Sequence, residues 1–161
     1  SYGGWGDMFI KKSLPNFWFA EKEHLHELMR WLPQTNNSFY ARCKWEQNDF
    51  ASTNHAPVAA FNQNKSTEFI YLSADPGQTI KLSAKGSSDP DGDKLTYKWW
   101  RYNKADSYDG KIVIKNSDTS DASFILPADI KDKNIHIILE VQDDGDPVLT
   151  GYRRIIISNK P

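Results

Sequence analysis

The chain has 161 residues, enough for one good core or for one domain with a small extra piece. Its formal charge of −1 implies no polyanion, so no nucleic acid partner is expected, and its single cysteine, Cys43, excludes an internal disulfide. No apolar run approaches the roughly 18 residues that cross a bilayer, so no membrane span is expected.

The chain opens SYGGWG with no initiator Met and nothing that reads as an export signal, so a fragment or a processed product is expected. Glu21–Leu32 carries Leu25, Leu28, Met29 and Leu32 at helical spacing, which predicts a short amphipathic helix ended by Pro33. Asn36–Trp45 predicts a second helix, capped by Asn36 or Asn37, with Phe39, Tyr40, Cys43 and Trp45 toward one side. Two short helices cannot bury so many aromatic rings alone, so they need another surface. At 52–58 the chain runs Ser-Thr-Asn-His-Ala-Pro-Val, and the residue before Pro57 is pushed out of the helical region. A domain boundary is placed here, at about residue 55, between residues 1–55 and residues 56–161.

Beyond it the grammar is all β. Short strands are predicted at Val58–Phe61, Phe69–Ser73, Thr79–Ala84, Leu95–Tyr102, Lys111–Lys115, Ala122–Leu126, Asn134–Gln142 and Tyr152–Ser158. Turns come from Pro76-Gly77, Asp89-Pro90-Asp91-Gly92, Asp109-Gly110 and Asp144-Gly145-Asp146-Pro147. That density of strands fits an immunoglobulin-like β-sandwich, so the fold class is mainly β, preceded by a short, partly helical segment. Alternation assigns the faces. Leu95, Tyr97 and Trp99 share one side of their strand, and Ile135, Ile137, Leu139 and Val141 share one side of theirs. The predicted core is Leu82, Tyr97, Trp99, Phe124, Ile137, Leu139 and Val141.

Ser73–Trp100, strand, acidic turn and strand with a Tyr-x-Trp centre, resembles the polycystic-kidney-disease (PKD) type of immunoglobulin-like module. Two further runs narrow the resemblance: SYGGWGDMF at 1–9 with RWLPQTNNSFYARCKW at 30–45, and IHIILEVQDDGDPVLTGYRRIII at 135–157. Together they resemble a family of exported bacterial proteins described as cellulose-binding, which join a nucleoside-hydrolase-like domain to an immunoglobulin-like carboxy-terminal domain. The resemblance covers most of the chain and departs from the family between Phe9 and Arg30, where this chain is shorter. It implies that residues 1–55 are the tail of the hydrolase-like domain and that residues 56–161 are a complete accessory domain. It also implies export to the periplasm, the cell surface or the medium. The catalytic apparatus of the hydrolase-like family is a calcium-holding cluster of the form Asp-x-Asp-x-x-x-Asp-Asp. No such spacing occurs here; Asp89, Asp91 and Asp93 come nearest and lack the second half. The expected role is therefore non-catalytic, docking to the parent domain and engaging a polysaccharide such as cellulose. The alternatives are a piece of an N-glycosidic-bond hydrolase whose active site lies elsewhere, and a calcium-stiffened spacer.

Two constellations are candidate sites. In this fold the loop between strands B and C lies at the same end as the loop between F and G. Asp89, Asp91 and Asp93 on the first and Asp143, Asp144 and Asp146 on the second would meet at one pole, an oxygen-rich set suited to calcium. The bland reading is that these carboxylates shape turns and face water, with Arg153 or Arg154 neutralising some of them. The second constellation is aromatic. Trp100 and Tyr102 fall on the outward face of strand C with Tyr108 soon after, as a sugar-stacking platform would. The competing reading is that Trp5, Phe17, Trp18, Phe19 and Trp31, or the parent domain, cover that face; Ile138 beside it favours cover. His24 and His26 would point about 200° apart on a helix and could not share a metal there. No nucleophile elbow, phosphate loop or dinucleotide fingerprint is present.

Overall fold

The computed structural model describes residues 9–11, 18–20 and 25–160. Strands β1 (Phe9–Lys11) and β2 (Trp18–Ala20) pair antiparallel with Phe9 opposite Ala20. Helix α1 (Leu25–Gln47) follows, then six strands: β3 (Ile70–Ala74), β4 (Thr79–Ser83), β5 (Thr96–Arg101), β6 (Asp121–Ile125), β7 (Asn134–Gln142) and β8 (Thr150–Asn159). No helix among the described residues is long and apolar enough to cross a membrane.

The six strands form two layers. One sheet has the order β3-β8-β7-β5, with β3 parallel to β8 and the other neighbours antiparallel; β4 and β6 form the second, antiparallel. β5, β7 and β8 occupy the C, F and G places of an immunoglobulin-like sandwich, and β4 and β6 the B and E places. Period-2 alternation produces this. Ile80 and Leu82 of β4 and Phe124 of β6 point across the gap at Trp99 of β5, Ile137 and Leu139 of β7, and Ile155 and Ile157 of β8, all buried in one cluster. Trp99 sits at the centre, and its indole N–H donates to the Thr119 carbonyl at 2.9 Å, so the ring brings no unpaired donor into the core.

The predicted core residues lie in that cluster, with Tyr97 only half-buried. β5 is an edge strand facing a two-stranded partner sheet, which does not reach far enough to close over it. Two predicted strands do not form. Lys111–Lys115 meets the sheet through one bridge, Lys115 to Ser123, and Val58–Phe61 contributes bridges to Ser88 and Asn64 only. Both segments still seat apolar residues on the core, Ile112 and Ile114 in one and Ala59 and Phe61 in the other. Alternation there records burial, not a strand ladder.

The two expected helices are one. α1 runs through Pro33 without a break. A proline inside a helix removes one backbone hydrogen bond and strains the preceding turn, at a cost of roughly 3 kcal/mol in isolation. The sheet offsets it: Trp31, two residues before, packs its ring against Trp100 and Tyr152 of the outward sheet face. The Thr35 hydroxyl donates back to the Trp31 carbonyl at 2.9 Å. Farther along, Asn37 donates to the Val148 carbonyl and Lys44 to Asp146, both at the F–G end of the sandwich. At the C-terminus of the helix the Asn48 amide and side chain both donate to the Lys44 carbonyl.

Candidate functional site

The acidic pole forms where two loops and the segment after α1 converge. Asp89 opens the B–C loop, and its Oδ1 accepts from the amides of Asp91 at 2.8 Å and Asp93 at 3.2 Å. This folds the loop so that oxygens of Asp89, Asp91 and Asp93 lie within 4.8 Å of one another. Asp144 ties the F–G loop to it by accepting from the Lys94 amide at 2.8 Å. The two loops therefore meet at one end, but the six carboxylates have different employment. Asp143 is buried and spans its own loop, accepting from the amides of Leu149 and Gly145 and from the Asn54 side chain. Asp146 turns outward to Lys44 at 2.7 Å. Asp91 is engaged by His55, whose ring Nδ1 lies 2.9 Å from Oδ1 and whose amide donates to Oδ2 at 2.6 Å.

The electrostatics follow from this crowding. Partial desolvation, then the charges of Asp89, Asp144, Asp143 and Asp91, push Asp93 above the ordinary carboxylate range. For Asp91 desolvation acts upward, but the bonds from the His55 ring and amide hold the carboxyl below its usual value. One oxygen, Asp89 Oδ2, is buried with no hydrogen-bond partner, as is Asn54 Oδ1 at the same pole. A buried orphan carboxylate oxygen beside mutually repelling neighbours suits a divalent cation, and the donors that fit are Asp89, Asp91 and Asp93. Neither arginine neutralises the pole. Arg153 is buried on the core side of β8, and its Nε and Nη2 have no hydrogen-bond partner. Arg154 lies over the Phe69 and Tyr102 rings and donates to His136.

Asn54 and His55 were outside the expected set and are central to the pole. Asn54 donates to Asp143 at 3.2 Å and to the Pro147 carbonyl at 2.8 Å. Its amide lies 2.2 Å from where a Cβ on Gly145 would stand, so a larger residue there would have to push the Asn54 side chain out of these bonds. Trp45 of α1 holds this segment from the other side: its indole N–H donates to the Asn54 carbonyl at 2.9 Å, and its ring stacks on His55. The signals in the sequence were the glycines facing that segment, which are unreadable until one knows what approaches them.

The outward aromatic face is covered. Trp31 lies against Trp100 with ring centroids 5.6 Å apart and against Tyr152 at 5.3 Å, edge-on. The Arg30 guanidinium stands 4.7 Å from the Trp100 ring centre. The Trp100 indole N–H donates to Glu140 at 2.9 Å, and Tyr102 packs edge-on against Trp100. Trp100 and Tyr102 thus share one face, as expected, but α1 crosses it and leaves no flat row of rings. Of the other aromatics expected to cover it, Trp5, Phe17 and the side chains of Trp18 and Phe19 lie outside the described residues, as does His24. Tyr108 is not on that face. It is buried in the core, its hydroxyl donating to Asp129 at 2.8 Å, because Arg101 folds the loop after β5 inward.

Beside Trp31 a cleft of about 640 Å³ opens between α1 and the start of β8. Leu149 and Ala56 floor it, and the rings of Trp31, Phe39 and Tyr152 line it. Sequence reasoning missed it, because its two walls are far apart in the chain.

The family described as "Cellulose-binding protein Sde0182, C-terminal domain" matches residues 79–159. Among solved structures, the chain is similar to a nucleoside hydrolase-related hypothetical protein from Saccharophagus degradans that is associated with carbohydrate metabolism. The identity is 35%, the TM-score 0.84, and the match covers 98% of this chain and 42% of that one. The chain therefore spans less than half the length of that relative. The PKD domain from the KIAA 1837 protein matches at 16% identity and TM-score 0.43, over 68% of this chain and 93% of that one. Extracellular cadherin domains 1–5 of protocadherin gamma B2 match at 18% identity and TM-score 0.38, over 66% of this chain and 20% of that one. No curated protein matches.

Proposed function

This chain belongs to the family of the cellulose-binding protein Sde0182 C-terminal domain, and from that premise we propose that it is a non-catalytic accessory module that docks on a nucleoside-hydrolase-like body. The observation that carries the reading is the second apolar stripe of α1. The inner face carries Trp31, which meets the sheet, the buried Ala41, and Trp45, which stacks on His55 of the segment leading into the sandwich. On the opposite face Met29, Leu32, Phe39 and Tyr40 are exposed, Phe39 at 69%. A helix apolar on both sides belongs between two bodies. The similar S. degradans protein carries more than half of its length beyond the matched part, which is the kind of body this stripe fits. The family description makes an extracellular carbohydrate setting the natural one.

The test supplies a nucleoside-hydrolase-like domain of the same organism in trans. The wild-type chain is expected to co-elute with it, the double variant Met29→Glu/Phe39→Glu to elute alone, and the chain by itself to turn over no nucleoside. Absence of co-elution, indifference to the double variant, or a nucleoside-hydrolysing rate in the isolated chain would each defeat the reading.

A second reading is favoured by the orphan Asp89 Oδ2. We infer that Asp89, Asp91 and Asp93 hold a calcium ion, with water completing the six to eight oxygens calcium takes. Three shared carboxylates at a surface loop fit an affinity of roughly 0.1–1 mM, that of extracellular modules. Millimolar calcium should then raise the melting temperature, EDTA should lower it, and Asp93→Asn should abolish the difference. Identical melting curves with and without calcium would remove the ion.

A further inference from the structure

Arg154 joins the two edges of the larger sheet across its outward face. That sheet has the order β3-β8-β7-β5, and Arg154 stands on β8 opposite Ile138 of β7. Its guanidinium lies 5.1 Å from the ring centre of Phe69, which directly precedes β3, and 5.8 Å from that of Tyr102, which directly follows β5. Its polar partner is the His136 ring: Nε lies 3.0 Å and Nη2 2.6 Å from Nδ1. Among the described residues Arg154 pairs with no carboxylate. A guanidinium only donates, so Nδ1 is an acceptor here, and the ring is neutral.

A proton on Nδ1 turns that acceptor into a donor and sets two cations against each other at hydrogen-bond distance. Among the described residues, the charged groups that reach His136 are Arg154 from β8 and Asp106 from the loop after β5. Tyr102 at the end of β5 is the other titratable neighbour, its amide donating to the His136 carbonyl. Asp106 does not rescue the pair, because its carboxylate already accepts from the His136 amide and from Arg101. His136 is 7% exposed and held in the middle of β7, whereas Arg154 is only half-buried, so Arg154 is the side chain free to leave. We propose that this group is an acid-operated latch: a proton on His136 breaks the Arg154 bonds, Arg154 swings into water, and the start of β3 loses its tie across the sheet. Burial and the Arg154 charge hold the His136 ring below its ordinary 6.5, so the latch opens only in acid. It involves neither the docking stripe nor the acidic pole.

The test follows the whole chain by NMR from about pH 8 down to about pH 4.5. The His136 ring signal and the Arg154 Nε–H signal should change with one shared midpoint below 6.5. Hydrogen exchange, corrected for its intrinsic pH dependence, should show the amides of β3 losing about fivefold or more of their protection below that midpoint, while β7 keeps its own. His136→Gln, whose amide oxygen accepts from Arg154 at every pH, should hold β3 protected throughout. Arg154→Gln should leave β3 weakly protected at every pH and raise the His136 midpoint, because the charge that opposes the proton is gone. Titration of His136 with Arg154 unchanged overturns the proposal, as does an acid loss at β3 that persists in His136→Gln. An unmoved His136 midpoint in Arg154→Gln overturns it too, and so does a ring that stays neutral until the whole chain unfolds.

Discussion

Arg101 closes the loop after β5. Its guanidinium donates to the carboxylate of Asp106 and to the carbonyls of Tyr108 and Gly110. Asp106 in turn accepts from the His136 amide at 2.6 Å, and its side chain is 1% exposed. Arg101→Ala would leave that carboxylate buried and unpaired, so a loss of about 3 kcal/mol is expected in urea unfolding. Arg101→Lys should recover only part of it, because one ammonium cannot reproduce a planar fork with three acceptors. Gly151 presents a steric case. A Cβ there would lie 2.3 Å from the Pro57 carbonyl oxygen, on backbone that cannot swing away as a side chain could. Gly151→Ala should cost about 2 kcal/mol or more, read as a lowered urea midpoint. At this scale little was readable beforehand. Trp99 was, because alternation points it inward. Tyr108 was not: only the Arg101 clasp, made after the chain folds back, decides that its ring enters the core.

Helix α1 shows what an element gains from its surroundings. Pro33 reads as a terminator, since a proline ends most helices on its own propensity. Here the packing of Trp31 against Trp100 and Tyr152 holds the helix just before it, and the bonds from Asn37 and Lys44 to the F–G loop hold the turns after it. Trp31→Ala should therefore destabilise by about 2 kcal/mol and shift tryptophan emission to the red as water reaches Trp100. Unchanged emission would mean that α1 does not lie on that face. The helical period was plain in the sequence, but two apolar stripes were present and only one can meet the sandwich. The sequence points to Phe39, Tyr40, Cys43 and Trp45 as one side. The packed side is instead that of Trp31, Ala41 and Trp45: Trp31 meets Trp100 and Tyr152 on the outward sheet face, and Trp45, the member of the expected set that does pack, meets His55. The strands tell the opposite story. β4 to β8 fall where alternation and turns put them, within a residue or two at their ends, because both signals act between near neighbours.

The sandwich, α1 and the loop clasps meet around β7, which is buried on both faces along much of its length. His136 lies on its outer side and accepts from Arg154 Nε at 3.0 Å. Burial, then the Arg154 charge, hold its pKa below the ordinary 6.5, against a smaller upward pull from Asp106. The neutral ring is the one the fold prefers. Its contribution is complete above pH 6.5 and is lost as the pH falls from there through the folded-state value, because the unfolded chain binds the proton more readily. The melting temperature should hold from about pH 8 to about pH 6.5 and then decline, and His136→Gln should remove that first decline while leaving the carboxylate limb at lower pH. The amino-acid order alone was enough for the two-layered β fold, its aliphatic centre and the acidic character of one end, since period, turn chemistry and side-chain volume are properties of short stretches. Cover of Trp100 by Trp31 was among the readings the sequence offered; which carboxylates are spoken for, that Asn54 and His55 join them, that one unbroken helix supplies the cover, and that a groove opens beside Tyr152 were decided by packing, because each joins residues from distant parts of the chain and no short-range signal records such a meeting.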